Sequence, residues 1–306
     1  MSTRLKFFIS TISIATMGVF LLNVQVYTKV FLDGVTIWAN NVLPTILPFM
    51  ILSSVATKSG GIQTLCANEK LSRRIFGTPN GTGWIYLLSL LCGYPIGAKL
   101  IAEQRDCLDK SDCIKLATYC TTASPIFIFG TIGNTLLHST KCALVILISH
   151  VTASLLNGIT YKSFWQTNTS YSQINIDEKP ITSITDAVNS ILTVGALIAL
   201  FYTLCAMISD LLPRWFSTDG IVLTSFALGL LEITTGCINL ASITNTFNAT
   251  VLCCALTSFG GLCVIMQMMT FLSTCKIKTS TIVLTKATHC AFSTIICFML
   301  AKLFSI

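Results

Sequence analysis

The feature that most constrains this chain is a series of apolar runs, each long enough to cross a lipid bilayer. Residues 7–27, 35–57, 141–161, 186–209 and 281–304 are such runs, and about 20 helical residues cross ~30 Å of hydrocarbon. No water is present in the bilayer core to satisfy a bare backbone, so a run of this kind must be a helix. Only 10% of the 306 residues are charged, too few to cover a soluble protein of this size, where about 25% is usual. The sequence therefore predicts an all-α polytopic membrane protein with about seven to nine transmembrane segments, in contact with lipid. Arg4 and Lys6 precede the first run. No small-residue cleavage site follows it, so it is expected to stay as an uncleaved helix.

The net charge of +7 does not point to nucleic acid, because the basic residues are scattered among loops, where they set orientation. The fourteen cysteines form no CxxC pair. Cys92, Cys205, Cys237, Cys253, Cys254, Cys263 and Cys297 lie inside apolar runs and read as small hydrophobes. Cys107, Cys113 and Cys120 have no partnering His, so neither a metal nor any other cofactor is expected. No P-loop, HExxH or GxSxG occurs, which argues against direct use of ATP and against an enzyme.

Four element types recur in the same order. Asp33-Gly34-Val35 and Asp186-Ala187-Val188 each open an apolar helix. A glycine-bearing run follows, Pro95–Ala102 first and Thr234–Ala241 second. Next come interruptions at Ser124-Pro125 and Gly260-Gly261, and a plain helix closes each half. The expected division is an N-terminal helix 1–30, a first membrane repeat 31–162, a polar linker 163–185 and a second repeat 186–306. If 84–104 and 221–241 are re-entrant hairpins, most Lys and Arg residues, Lys276, Lys278 and Lys286 among them, fall on the cytoplasmic side. Each repeat then crosses an odd number of times, so the two are inverted, with discontinuous helices meeting near the midplane as in many secondary transporters.

The chemistry is expected at those interruptions. Gly93 and Pro95 break a helix in Cys92-Gly93-Tyr94-Pro95-Ile96-Gly97-Ala98-Lys99. Lys99 either pairs with Glu103 one turn on, snorkels to an interface, or faces an anionic solute. Ser124 is a good N-cap and Pro125 suits the first helical position, so a half-helix over 124–136 would present its positive end to an anion. Glu232 is the acidic residue deep in the second half, beside Thr234, Thr235 and Asn239. It reads either as an ion-pair partner of Lys99 or as a proton or sodium coupling site. Gln267 follows the Gly260-Gly261 break. His150 and His289 sit in the last helix of each half and read as packing residues.

These motifs fall in an order that resembles the YlbJ/SpoVV-like sporulation integral membrane proteins of the nucleoside-recognition Gate domain group. They are Pro44-Thr45-Ile46-Leu47-Pro48-Phe49, Gly93–Lys99, Ser124-Pro125-Ile126-Phe127, Glu232–Gly236 and Gly260-Gly261 through Gln267. Those relatives carry Asn-x-Gly-Pro where this chain has Thr-Thr-Ala-Ser-Pro. The resemblance implies a transporter in the bacterial cytoplasmic membrane or the outer forespore membrane that moves dipicolinate, a small aromatic dianion, during sporulation. Tyr94, Gly97, Lys99, Ser124, Pro125, Thr235, Asn239 and Gln267 would contact the solute, and Glu232 with Glu103 would couple or pair. The same grouping leaves open a nucleoside or purine carrier. A non-transporting scaffold for spore-envelope assembly is the reading from a different class. A homo-oligomer or another spore-membrane protein would be the partner.

Overall fold

In the computed structural model the described residues are 3–66, 68–165, 180–211 and 218–306. Most of them are helical, and none is in a strand. The chain opens with α1 (Thr3–Leu22), α2 (Val24–Ile37), a π-wound turn at Trp38–Val42, and α3 (Leu43–Lys58). The short α4 (Gly61–Cys66) and α5 (Leu71–Phe76) follow. Then come α6 (Gly83–Cys92), α7 (Ile96–Glu103), α8 (Lys110–Tyr119), a π-wound helix at Phe127–Leu136, and α9 (Thr140–Thr160). The second half has α10 (Pro180–Leu211), α11 (Thr218–Leu231), α12 (Ile233–Ile243), α13 (Thr246–Phe259), α14 (Gly261–Leu272) and α15 (Thr279–Leu303). The polar linker expected over 163–185 falls mostly outside the described residues, as do Lys179 and Arg214.

Four stretches are long and apolar enough to span a bilayer: Thr140–Ser163, Ala187–Leu211, Thr246–Cys275 and Thr279–Leu303. The expectation at the N-terminal end needs correcting. The run 7–27 is not one helix, because Asn23 leaves helical geometry (φ −143°, ψ 50°) and α1 meets the following helix at a bend of 107°. If that bent pair is one span there are five. The shorter apolar helices, Gly83–Cys92, Phe127–Leu136 and Ile233–Ile243 among them, are too short to cross alone and lie in the interrupted elements.

The breaks follow from local sequence. Gly93 sits at φ +77°, ψ −178°, a region essentially reserved to glycine, and ends α6. Gly260 at φ +91° ends α13, and Gly261 at φ +65° starts α14. Ser139, Glu232 and Asn245 cap α9, α12 and α13 with side-chain oxygens, satisfying amides that a helix start leaves bare.

Cross-contacts fix direction. Lys115 Nζ donates to the carbonyl of Gly77 at 3.2 Å, so the chain leaves past Gly77, runs through α6 and α7, and returns beside it. The stretch 83–103 therefore folds as a helical hairpin of α6 and α7. Its counterpart, α11–α12, folds back so tightly that a Cβ on Gly236 would lie 2.3 Å from Gly229 Cα. α9 and α15 pack antiparallel: Asn157 near the end of α9 meets Thr285 near the start of α15, and the rings of His150 and His289 lie 4.7 Å apart midway. Lys115, midway along α8, lies beside Gly77, and Cys275, just beyond α14, lies in electrostatic range of Arg105.

The thiols behave as hydrophobes. Cys205, Cys253, Cys254 and Cys297 are buried, and their Sγ–H groups point to helix carbonyls at 3.7–3.9 Å. One placement corrects the orientation argument. Lys286 is no loop residue but lies within α15 with 1% of its surface exposed.

Candidate functional site

In the first half the two interruptions press against each other. A Cβ on Gly93 would lie 2.6 Å from Ser124 N, and one on Gly97 would lie 1.8 Å from the Cys120 carbonyl oxygen. Any larger residue at Gly97 would push the hairpin off the broken span. Ser89 Oγ donates to that same carbonyl, and Thr122 Oγ1 donates back to Ser89 O at 3.4 Å. In the second half a Cβ on Gly261 would lie 3.2 Å from the carbonyls of both Gly229 and Leu231, so the Glu232 break abuts the Gly260-Gly261 break in the same way.

A segment that leaves the helix in hydrocarbon must find partners for every amide and carbonyl. For residues 118–124 those partners come largely from α9 and α15. Asn157 Nδ2 donates to Thr118 O at 2.8 Å and to Thr285 O at 3.0 Å. Lys286 Nζ donates to Thr121 O at 2.8 Å. Ala123 N–H donates to His150 Nε2 at 2.9 Å. A ring nitrogen that accepts from an amide carries no proton, so the proton of neutral His150 is on Nδ1, which donates to Ser258 Oγ at 2.8 Å. His289 Nε2 donates to the carbonyl of His150 at 3.0 Å.

Lys286 is where the two halves cross. Its Nζ holds a carbonyl of the first break, and its Cε lies 3.5 Å from where a Cβ on Gly260 would be. It also sits 5.8 Å from the centroid of the Tyr94 ring, within reach of a cation–π attraction. Tyr94 in turn lies in electrostatic range of Glu232, Cys237 and Cys263, and its buried hydroxyl has no hydrogen-bond partner among the described residues. Among the described residues no carboxylate lies within salt-bridge distance of Lys286. A buried lysine is ordinarily paired with an acid; the amine of this one rests on a neutral carbonyl.

The residues expected at the site divide into two groups. Tyr94, Gly97, Ser124 and Pro125 come together at the first break. Ser124 Oγ accepts from Phe127 N at 3.3 Å, and the helix begins at Pro125, so the expected half-helix start is present. Lys99, one turn beyond Pro95, donates to Ser54 Oγ at 3.0 Å and has Glu103 at 3.8 Å. Glu232 accepts from Thr234 N at 3.0 Å, from Thr235 N at 2.7 Å and from Thr235 Oγ1 at 2.9 Å. Its carboxylate therefore serves as the cap of α12. Gln267 is buried on α14 with Nε2 3.3 Å from Cys263 Sγ, and Asn239 is half-buried on α12, where its carbonyl accepts from Ser242.

Lys286 and Asn157 are the site residues that sequence reasoning does not find. A signal exists for the lysine, since an ionisable residue within an apolar run marks function by default. Lys286 lies close enough to the start of its run to read as a flank.

No family model matches the chain, and no solved structure matches it. It is similar to the sporulation integral membrane protein YlbJ of Bacillus subtilis (strain 168), with 28% identity over 134 residues. The matched stretch is 43% of this chain and 33% of that relative, so the chain spans about a third of the length of the curated relative it matches. The likeness to YlbJ-type membrane proteins rests on this stretch. With the apolar helices, it makes the chain an integral membrane protein.

Proposed function

We propose that the chain is a secondary carrier or facilitator, not an enzyme, and that it moves a small organic anion during sporulation. Dipicolinate crossing the outer forespore membrane is the solute that fits best. The observation that carries this reading is Lys286: a buried lysine amine held by a neutral carbonyl, at the point where the interruptions of both halves converge. A solute carboxylate is a better acceptor than the Thr121 carbonyl, because a hydrogen bond between two ionised groups is shorter and stronger. By taking that place it would part the 120–124 segment from its support and open the first break. The Ile126 amide and the positive end of the helix that starts at Pro125 would receive a second carboxylate. The aromatic face and orphan hydroxyl of Tyr94 suit a flat ring bearing a hydrogen-bond acceptor. The likeness to YlbJ, a sporulation protein by name, supports the setting.

A cation at the crossing favours an anion over an uncharged nucleoside. The test is counterflow of labelled dipicolinate in proteoliposomes, with unlabelled dipicolinate, nucleosides and purines as competitors. Competition by dipicolinate alone is expected. Competition by nucleosides alone would assign the site to a nucleobase, and no movement of any solute would leave a scaffold.

A further inference from the structure

Resting on the carrier reading above, we infer that the carrier takes up a proton together with its anion, and that His150 is the group that binds this proton. Neutral His150 joins the two halves through both ring nitrogens. Nε2 accepts the amide proton of Ala123, immediately before the Ser124 helix start, and Nδ1–H is given to Ser258, two residues before the Gly260 break. An imidazolium carries a hydrogen on both nitrogens and cannot accept from an amide. A proton arriving at Nε2 must therefore displace the Ala123 N–H and free the 120–124 segment. That is the same segment whose Thr121 carbonyl the solute would displace from Lys286. Proton and anion thus act on one short stretch from its two sides.

The charges around His150 make the two ligands depend on each other. The titratable groups within electrostatic reach are His289 and Lys286, both on α15, with the Cys290 thiol beside Lys286. From α13 the Ser258 hydroxyl accepts from the ring, and from the broken segment the Ala123 amide donates to it. No carboxylate of the described residues offsets this positive ground. A proton on His150 alone would face the Lys286 ammonium unscreened, while an anion on Lys286 supplies the missing negative charge. By linkage, each ligand then raises the affinity for the other by the same factor.

The experiment uses the full chain in proteoliposomes with dipicolinate as probe. Addition of dipicolinate to weakly buffered vesicles containing the wild-type protein is expected to alkalinise the outside medium, and uptake is expected to rise when the outside is made acidic. His150→Gln is expected to abolish the solute-evoked proton movement. If that variant does not reach the membrane, Ser258→Ala, which removes the Nδ1 partner alone, is read for an altered pH profile of uptake. Dipicolinate counterflow without proton movement in the wild-type protein would overturn the inference and leave the carrier reading standing. So would unchanged proton movement in His150→Gln. Absence of counterflow altogether would sink the carrier reading and this inference together.

Discussion

Replacement of Lys286 by Met keeps most of the side-chain volume and removes the charge. On the solute side, the lost interaction is a hydrogen bond between an ammonium and a carboxylate, which contributes about 1.5–3 kcal/mol. At about 1.4 kcal/mol per tenfold, half-saturation by dipicolinate should rise about ten- to a hundred-fold. On the folding side two effects oppose. Thr121 O loses its donor at 2.8 Å, and a buried carbonyl left bare costs about 1–3 kcal/mol. Against this, a buried ammonium no longer has to be desolvated. The thermal midpoint in detergent should therefore move little while transport weakens strongly. The assay is dipicolinate counterflow in proteoliposomes over a range of solute concentrations, paired with a melting curve on the same preparation. Lys286→Arg retains the charge and should lose less. Unchanged half-saturation in Lys286→Met, with normal protein in the vesicles, would refute the assignment of the solute to this cation.

Three further outcomes follow from the geometry. Gly97→Ala places a Cβ 1.8 Å from the Cys120 carbonyl against an ordinary 3.4–4 Å. Overpacking of this kind costs about 1–3 kcal/mol, so a lower melting temperature is expected, and an unchanged one would mean the two breaks are not in contact. Glu232→Ala removes a cap worth about 0.5–2 kcal/mol, whereas Glu232→Gln keeps an acceptor oxygen. If the carboxylate only caps α12, the Gln variant should melt closer to wild type and retain acid-stimulated uptake, and loss of that stimulation would make Glu232 the coupling group instead. Single cysteines at Lys70 and Asp109, both exposed, should react with an impermeant thiol reagent from the same side of the membrane. Labelling from opposite sides would exclude the re-entrant path of residues 83–103.

The interruptions were legible because their residues act locally. Gly93 and Gly260 take backbone angles closed to other residues, and Ser124-Pro125 is a helix start wherever it stands, so each break appears where the residues place it. The bend at Asn23 was not legible, because asparagine in an apolar run is compatible with a continuing helix. Nothing in the local sequence signals the π-wound path of Phe127–Leu136 either. Glu232 was found as a buried acid, but its use as a cap depends on the three bonds it makes to Thr234 and Thr235. Lys286 was hardest to find, because its meaning lies in a contact with Thr121, 165 residues away. Asn157 was hidden in the same way, joining Thr118 to Thr285 across the packed α9 and α15.

The antiparallel seam between α9 and α15 bears on energetics as well as architecture. On the carrier reading, two halves built as inverted copies would exchange conformations. The shape facing one compartment then becomes, after relabelling, the shape facing the other. Such a pair of states would lie close to balance, with neither orientation favoured by the protein itself. The net direction of travel would then be set by what waits on each side of the membrane, a gradient of solute or of protons, and a modest imbalance would suffice to turn the device around.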